Sequence, residues 1–198
     1  MEHQEKTARQ TESAEERIND ALVKLVRVKQ FEHVTVTEIC RQAHTSRITF
    51  YTHFADKYAL LNKYFKSMTG AAAETFFRTQ KINNIKNNPI QSWCNFLDAV
   101  LGLNNKYGDV LSRAESGEDP YLYFCFHREV LCSVKQFIKK NCGVLKPKYS
   151  VEQISSLLCD GMWGFIDESR AQHIPETEIR REAEDSLRII LNSRLFAE

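Results

Sequence analysis

The chain has little with which to turn a β-hairpin: seven glycines in 198 residues, and no stretch in which period-two alternation of apolar and polar residues leads into a Gly-bearing turn. It has no apolar run of about 18 residues, the length a membrane-spanning helix needs, and no cationic leader followed by an apolar segment. C-x-x-C pairs are missing too. Cys40, Cys94, Cys125, Cys132, Cys142 and Cys159 are widely scattered, a spacing that suggests neither a zinc site nor a secreted disulfide framework and that fits reduced, buried thiols. Net charge is almost nil, at +1. These absences predict a cytosolic, all-α chain of one or two domains with no cofactor, no metal and no membrane partner.

What is present is helical periodicity. Ile18, Ala21, Leu22, Leu25 and Val26 recur at the spacing of one helix face. Thr35 stands three residues before Glu38, a capping box opening a short helix from Val36 to about Ala43 with Val36, Ile39, Cys40 and Ala43 on its buried side. Ser46 suits the N-cap of a third helix, in which Phe50 and Phe54 point inward while Arg47, Thr49, Tyr51 and His53 are left outside. From Arg17 to Lys57 seven basic residues face four acidic ones, whereas Met1 to Glu16 holds two against five. An acidic tail thus masks a mildly basic head.

Residues 34–61, and above all Phe50-Tyr51-Thr52-His53-Phe54 followed by Asp56-Lys57 and the pair Leu60-Leu61, resemble the N-terminal domain of the TetR/AcrR family of bacterial transcription regulators. The turn departs from that pattern, with His44 where the family usually has glycine and Thr45 where it usually has a small aliphatic residue. A turn glycine is favoured where φ is positive, a conformation His44 can adopt at some cost. The resemblance implies an N-terminal three-helix domain with a helix-turn-helix, then a helical bundle for ligand sensing and dimerisation. The expected boundaries are a polar tail over residues 1–13, the DNA-binding domain over 14–60 and the regulatory domain over 61–198. With the family as guide, Thr35, Tyr51 and Lys57 are candidates for phosphate contact, and Arg47, Ile48, Thr49 and His53 for the groove. Arg47 can address guanine O6 and N7 together, and Ile48 a thymine methyl.

Beyond the head, Asp56 can cap a long helix whose stripe is Leu61, Phe65, Met68, Ala72 and Phe76. The Asn-rich segment 81–88 reads as a loop, and Pro89 suits the first turn of a helix bearing Ile90, Trp93, Leu97, Val100 and Leu101. A short helical piece is expected over 108–115, then a breaker cluster at 116–120. The next helix carries one stripe from Leu122 to Ile138 and a second from Phe124 to Cys132, which predicts burial on more than one side and an end near Cys142-Gly143. Apolar stripes over Val151 to about Gln172 and Glu176 to Ser193 mark the last two helices. Gly161 and Gly164 would admit close backbone approach there, and the resemblance makes these helices the interface of a homodimer reading a palindromic operator on double-stranded DNA.

Aromatic residues in the body supply the surface of an apolar pocket for a small-molecule effector that the sequence does not identify, with Phe76, Trp93, Phe96, Tyr107, Tyr123, His127 and Trp163 as candidate lining. Aromatics at helical spacing fill cores as readily. The expected function is that of a dimeric repressor released from its operator by the effector. Two alternatives stand beside it: a thiol-based redox regulator, for which Cys142 after Lys139-Lys140 has the most basic neighbourhood, and a helical adaptor with no DNA role. No catalytic constellation is legible, because Cys125, His127 and Glu129 on one helix do not converge.

Overall fold

The computed structural model describes residues 13–103, 107, 108, 110, 117–141, 146–193 and 195–197. Contacts divide them into two units: one takes the chain up to Lys66 together with Asp109–Cys125, the other Ser67–Gly108 and Phe126–Glu198. A linear boundary near residue 60 does not foresee that a segment from mid-chain joins the head.

In the first unit, α1 (Ala14–Val26) starts at a capping box between Ser13 and Glu16 and buries Ile18, Ala21, Leu22 and Val26. It packs on both α2 (Val36–Gln42) and α3 (Arg47–His53). A single 3-10 turn, Phe31–His33, connects α1 to α2 and puts the Phe31 ring in the centre of the unit. Both expected caps are present: Thr35 and Glu38 exchange bonds with each other's backbone N–H, and Ser46 accepts from the N–H of Thr49. His44 takes the turn with φ of 50°, the positive value a glycine would adopt freely.

Two long helices, α4 (Lys57–Asn83) and α6 (Pro120–Asn141), each begin in the first unit and end in the second. Asp56 caps α4 through the N–H of Ala59, and the stripe Leu61, Phe65, Met68, Ala72 and Phe76 is buried. The helix extends three residues into the expected loop. In the second unit α5 (Pro89–Leu101) opens with Asn88 as N-cap and Pro89 in the first turn. Then α7 (Val151–Ala171) and α8 (Glu176–Leu191) follow, with α8 packed on α5 and α7. Arg180 reaches Asp98, and Arg188 donates to the Gln91 amide oxygen at 3.2 Å, tying α8 to α5. A strand pair absent from the sequence expectation, β1 (Lys146–Pro147) with β2 (Phe196–Ala197), runs antiparallel with Lys146 opposite Ala197.

The second stripe of α6 is buried only in part: Cys125 is 1% exposed and Leu131 is half-buried, whereas Phe124 is 57% exposed and Cys132 is also exposed. Of the piece expected over 108–115 only residues 108 and 110 are described, both helical, and Cys142-Gly143 lies outside the described residues. On α7, Ile154, Leu158, Met162 and Ile166 are buried, while Leu157 is 52% exposed and a Cβ at Gly161 or Gly164 would meet nothing within 4 Å. The close approach that these glycines allow is therefore not used among the described residues.

Candidate nucleic-acid interface and body pocket

Phe50 and Phe54 lie four residues apart and are buried with ring centroids 5.7 Å from each other, which turns the other side of α3 outward. On that side Arg47, Ile48, Tyr51 and His53 are exposed, Ile48 at 82%. The Tyr51 ring stands edge-on to Phe50 at 5.4 Å, and the Arg47 guanidinium lies 6.0 Å from its centroid. Phenol and guanidinium are thereby held side by side while both still reach water. Thr49 is half-buried and its hydroxyl is 2.9 Å from that of Ser46. The hydroxyl of Thr52 donates to the Ile48 carbonyl.

Thr35 caps α2, and its hydroxyl donates to the Glu38 carboxylate at 2.8 Å. Glu38 also receives the Lys29 ammonium at 2.6 Å, and Lys29 with Thr35 holds its carboxyl down to about 2. Lys57 is placed differently from expectation. Its ammonium donates to the carbonyls of Phe31, Glu32 and Val34 at 3.1, 2.7 and 2.9 Å. An ammonium has three N–H donors, so none is left over for a phosphate. Sequence reasoning passed over Arg41, exposed in the last turn of α2 and six residues before Arg47. Exposure rather than periodicity marks it.

Asp119 closes the first unit from the other side. It is 1% exposed, and its carboxylate accepts the Phe31 N–H at 2.6 Å and the Leu122 N–H at 3.2 Å. One side chain thus caps α6 and fixes the 3-10 turn. The Tyr121 ring stacks on Phe31 at 5.2 Å, and burial pushes its phenol up to about 12.

Within the second unit α4, α5 and α6 enclose a cavity of about 440 Å³. Its walls are apolar, with Phe76, Phe77, Phe96, Val100, Leu103 and Phe137 among them, and Gln80, Ser92, Ser133, Gln136 and Lys140 supply polar groups. Gln80 and Ser92 are already committed to a buried amide network with Asn84 and Asn95. Ser133, Gln136, Phe137 and Lys140 form one stripe of α6 ending in the exposed Lys140 ammonium. Among the residues singled out from the sequence, Phe76 and Phe96 line this cavity. Trp93 packs behind it, edge-on to Phe137 at 4.8 Å. Tyr107 is half-buried and does not line it, and Tyr123 belongs to the first unit. His127 and Trp163 lie together elsewhere in the second unit, with ring centroids 5.9 Å apart.

Burial pushes the thiols of Cys40 and Cys94 up, and that of Cys159 to about 12, the reverse of what a reactive thiolate needs. Cys142 lies outside the described residues. No helix among the described residues is long and apolar enough to cross a membrane.

Residues 18–64 match the family described as bacterial regulatory proteins, tetR family. An uncharacterized HTH-type transcriptional regulator of Bacillus subtilis, YxbF, is 29% identical over 66 residues, a match spanning 33% of this chain and 17% of that protein. A TetR-family transcriptional regulator from Syntrophomonas wolfei superposes with a TM-score of 0.71 at 13% identity, over 92% of this chain and 96% of that one. The TetR-family repressor FadR of Thermus thermophilus, solved with lauroyl-CoA, gives 0.60 at 24% identity over 93% and 96%. At these identities the two structural likenesses are likenesses of fold.

Proposed function

From a chain that belongs, by its amino-terminal domain, to the tetR family of bacterial regulatory proteins, we infer a dimeric repressor that binds a palindromic operator and leaves it when a small apolar anion fills the body. The observation that carries the reading is the outward row of α3. Arg47, Ile48, Tyr51 and His53 stand in solvent on a helix whose inner side is locked by Phe50 and Phe54. A guanidinium fork can read a guanine edge and an apolar side chain a thymine methyl. The Tyr51 phenol and the Arg41 guanidinium suit phosphates flanking the groove.

The ligand class follows from the cavity. Aromatic walls favour an acyl or aromatic body, and Lys140 at the end of the polar stripe favours a carboxylate or phosphate on that body. The lauroyl-CoA held by the Thermus relative is a ligand of this kind. The cavity is lined by the later turns of α4 and α6; Lys57 in the first turn of α4 and Asp119, which caps α6, fasten the 3-10 turn of the head. A ligand that prefers one setting of these two helices shifts the head only to the extent of that preference.

Selection of bound fragments from random DNA at physiological salt tests the reading. An enriched inverted repeat with half-sites about one helical turn apart, or a multiple of it, is the expected result. Recovery of no motif, with uniform binding to all fragments, would refute it. A redox regulator gains no support from the raised thiols of Cys40, Cys94 and Cys159.

A further inference from the structure

His127 on α6 and the consecutive residues Cys159 and Asp160 on α7 converge on one point in the second unit. His127 Nε2 is 2.8 Å from Asp160 Oδ1 and 3.8 Å from Cys159 Sγ. All three donor atoms lie within 4.8 Å of one another. Neighbouring residues on a helix point about 100° apart, so two of them seldom address the same atom of a third side chain. Here both reach the same imidazole nitrogen.

We propose that His127, Cys159 and Asp160 bind a thiophilic divalent cation of the zinc type. Zinc holds nitrogen and oxygen at about 2.0–2.2 Å and thiolate sulfur at about 2.3 Å, so in a tetrahedral site the ligand atoms stand about 3.3–3.6 Å apart. The two short separations in the triad bracket that spacing, and an ion enters with shifts of about 1 Å in the exposed carboxylate and the largely buried ring. The ligand set is mixed N, S and O, which suits zinc and cobalt better than the oxygen-seeking magnesium and calcium. Cys159 is buried and anchors the site from below, whereas Asp160 is 59% exposed and gives the ion its entry. The Trp163 ring, edge-on to His127, holds the imidazole from the side. Three protein ligands leave the fourth position for water or a donor from outside these two helices. Without an ion, a histidine 23% exposed and an aspartate 59% exposed form a pair of small energetic worth.

An ion here pins α6 to α7 near the middle of each helix. Binding exchanges protons for metal: the thiol proton leaves to solvent, the carboxylate arrives ionised and the imidazole neutral. Metal affinity therefore falls as pH is lowered. The proposal goes beyond DNA recognition and stands whether or not an operator is found.

Cobalt(II) titration of the reduced full-length chain, freed of metal by chelator and dialysis, is the test. The expected result is one cobalt per chain with a thiolate-to-cobalt charge-transfer band and the visible d–d bands of a four-coordinate ion, both displaced by zinc. Cys159→Ser and His127→Ala abolish the charge-transfer band or the binding, while Cys132→Ser, which removes an exposed thiol elsewhere on α6, leaves both intact. Because replacing a buried residue can disturb folding, Asp160→Asn provides the mild variant: its side chain is exposed, its circular dichroism stays that of the parent, and its cobalt affinity falls about 10-fold or more. A spectrum without charge transfer at millimolar cobalt overturns the proposal. So does a band that survives in Cys159→Ser, or an unchanged affinity in a folded Asp160→Asn.

Discussion

Arg47 and Lys57 are both cations of the head and both are candidates for DNA contact from the sequence, yet their surroundings differ. Arg47 is exposed beside Tyr51. Arg47→Ala should leave the fold intact and lower discrimination between operator and scrambled DNA by about 1–3 kcal/mol, measured by competition binding. Full retention of discrimination would remove Arg47 from base reading. Lys57 instead donates to three carbonyls at the 3-10 turn. Lys57→Met keeps the stem but takes the common donor from Phe31, Glu32 and Val34, so it should destabilise the chain by about 1–3 kcal/mol. A lower urea midpoint at constant slope is the readout. A phosphate ligand would behave otherwise, with stability unchanged and the salt dependence of DNA binding reduced by about one ion.

At the scale of the element, α2 depends on its first turn. The Lys29 ammonium and Thr35 hold the Glu38 carboxyl down to about 2, so the ionised form is the one the fold favours. A depressed carboxyl adds stability at neutral pH, and that contribution is lost as pH falls from the ordinary glutamate range toward about 2. Thermal melts from pH 6 down to pH 2 should therefore show a decline that Glu38→Gln flattens. An identical decline in the variant would place the acid sensitivity elsewhere. The start of α6 is a second cap with a wider reach, since Asp119 serves Leu122 and Phe31 with one carboxylate. Asp119→Ala leaves the buried Phe31 N–H without its acceptor, which should cost about 1–3 kcal/mol and weaken release of DNA by ligand. Equal release by ligand in the variant would show that the Asp119 clasp does not carry the signal. The two caps also show what a sequence discloses. Thr35 and Glu38 are three residues apart, so their bond is set by local geometry and was legible. Asp119 and Phe31 are 88 apart, and His127 and Asp160 are 33 apart, so only packing brings them together. The same holds for the cavity: Phe76 and Phe96 could be picked out as aromatic, but Gln136 and Lys140 acquire meaning only when α6 lies beside α4 and α5.

For the whole molecule the proposed dimer raises the question of what would hold two heads at one spacing, since a single recognition helix covers only a few base pairs. The outward row of α7 offers a face suited to that purpose: Leu157 is 52% exposed, and a Cβ at Gly161 or Gly164 would meet nothing within 4 Å among the described residues. A glycine inside a helix costs about 1 kcal/mol relative to alanine, a cost that close approach of a second copy would offset. Leu157→Arg separates assembly from folding, because an arginine at an exposed position costs the lone chain little, while in a dimer it would bury a guanidinium without a partner. Light scattering should then give the mass of one chain with the circular dichroism of the parent. Operator affinity should fall by about 10²–10⁴, the gain that linking two binding heads provides, and binding to a single half-site should change little. A variant that keeps the mass of a dimer would move the interface off this row of α7. In that case the exposed Ile189 on α8, at 73%, becomes the next position at which to place the charge.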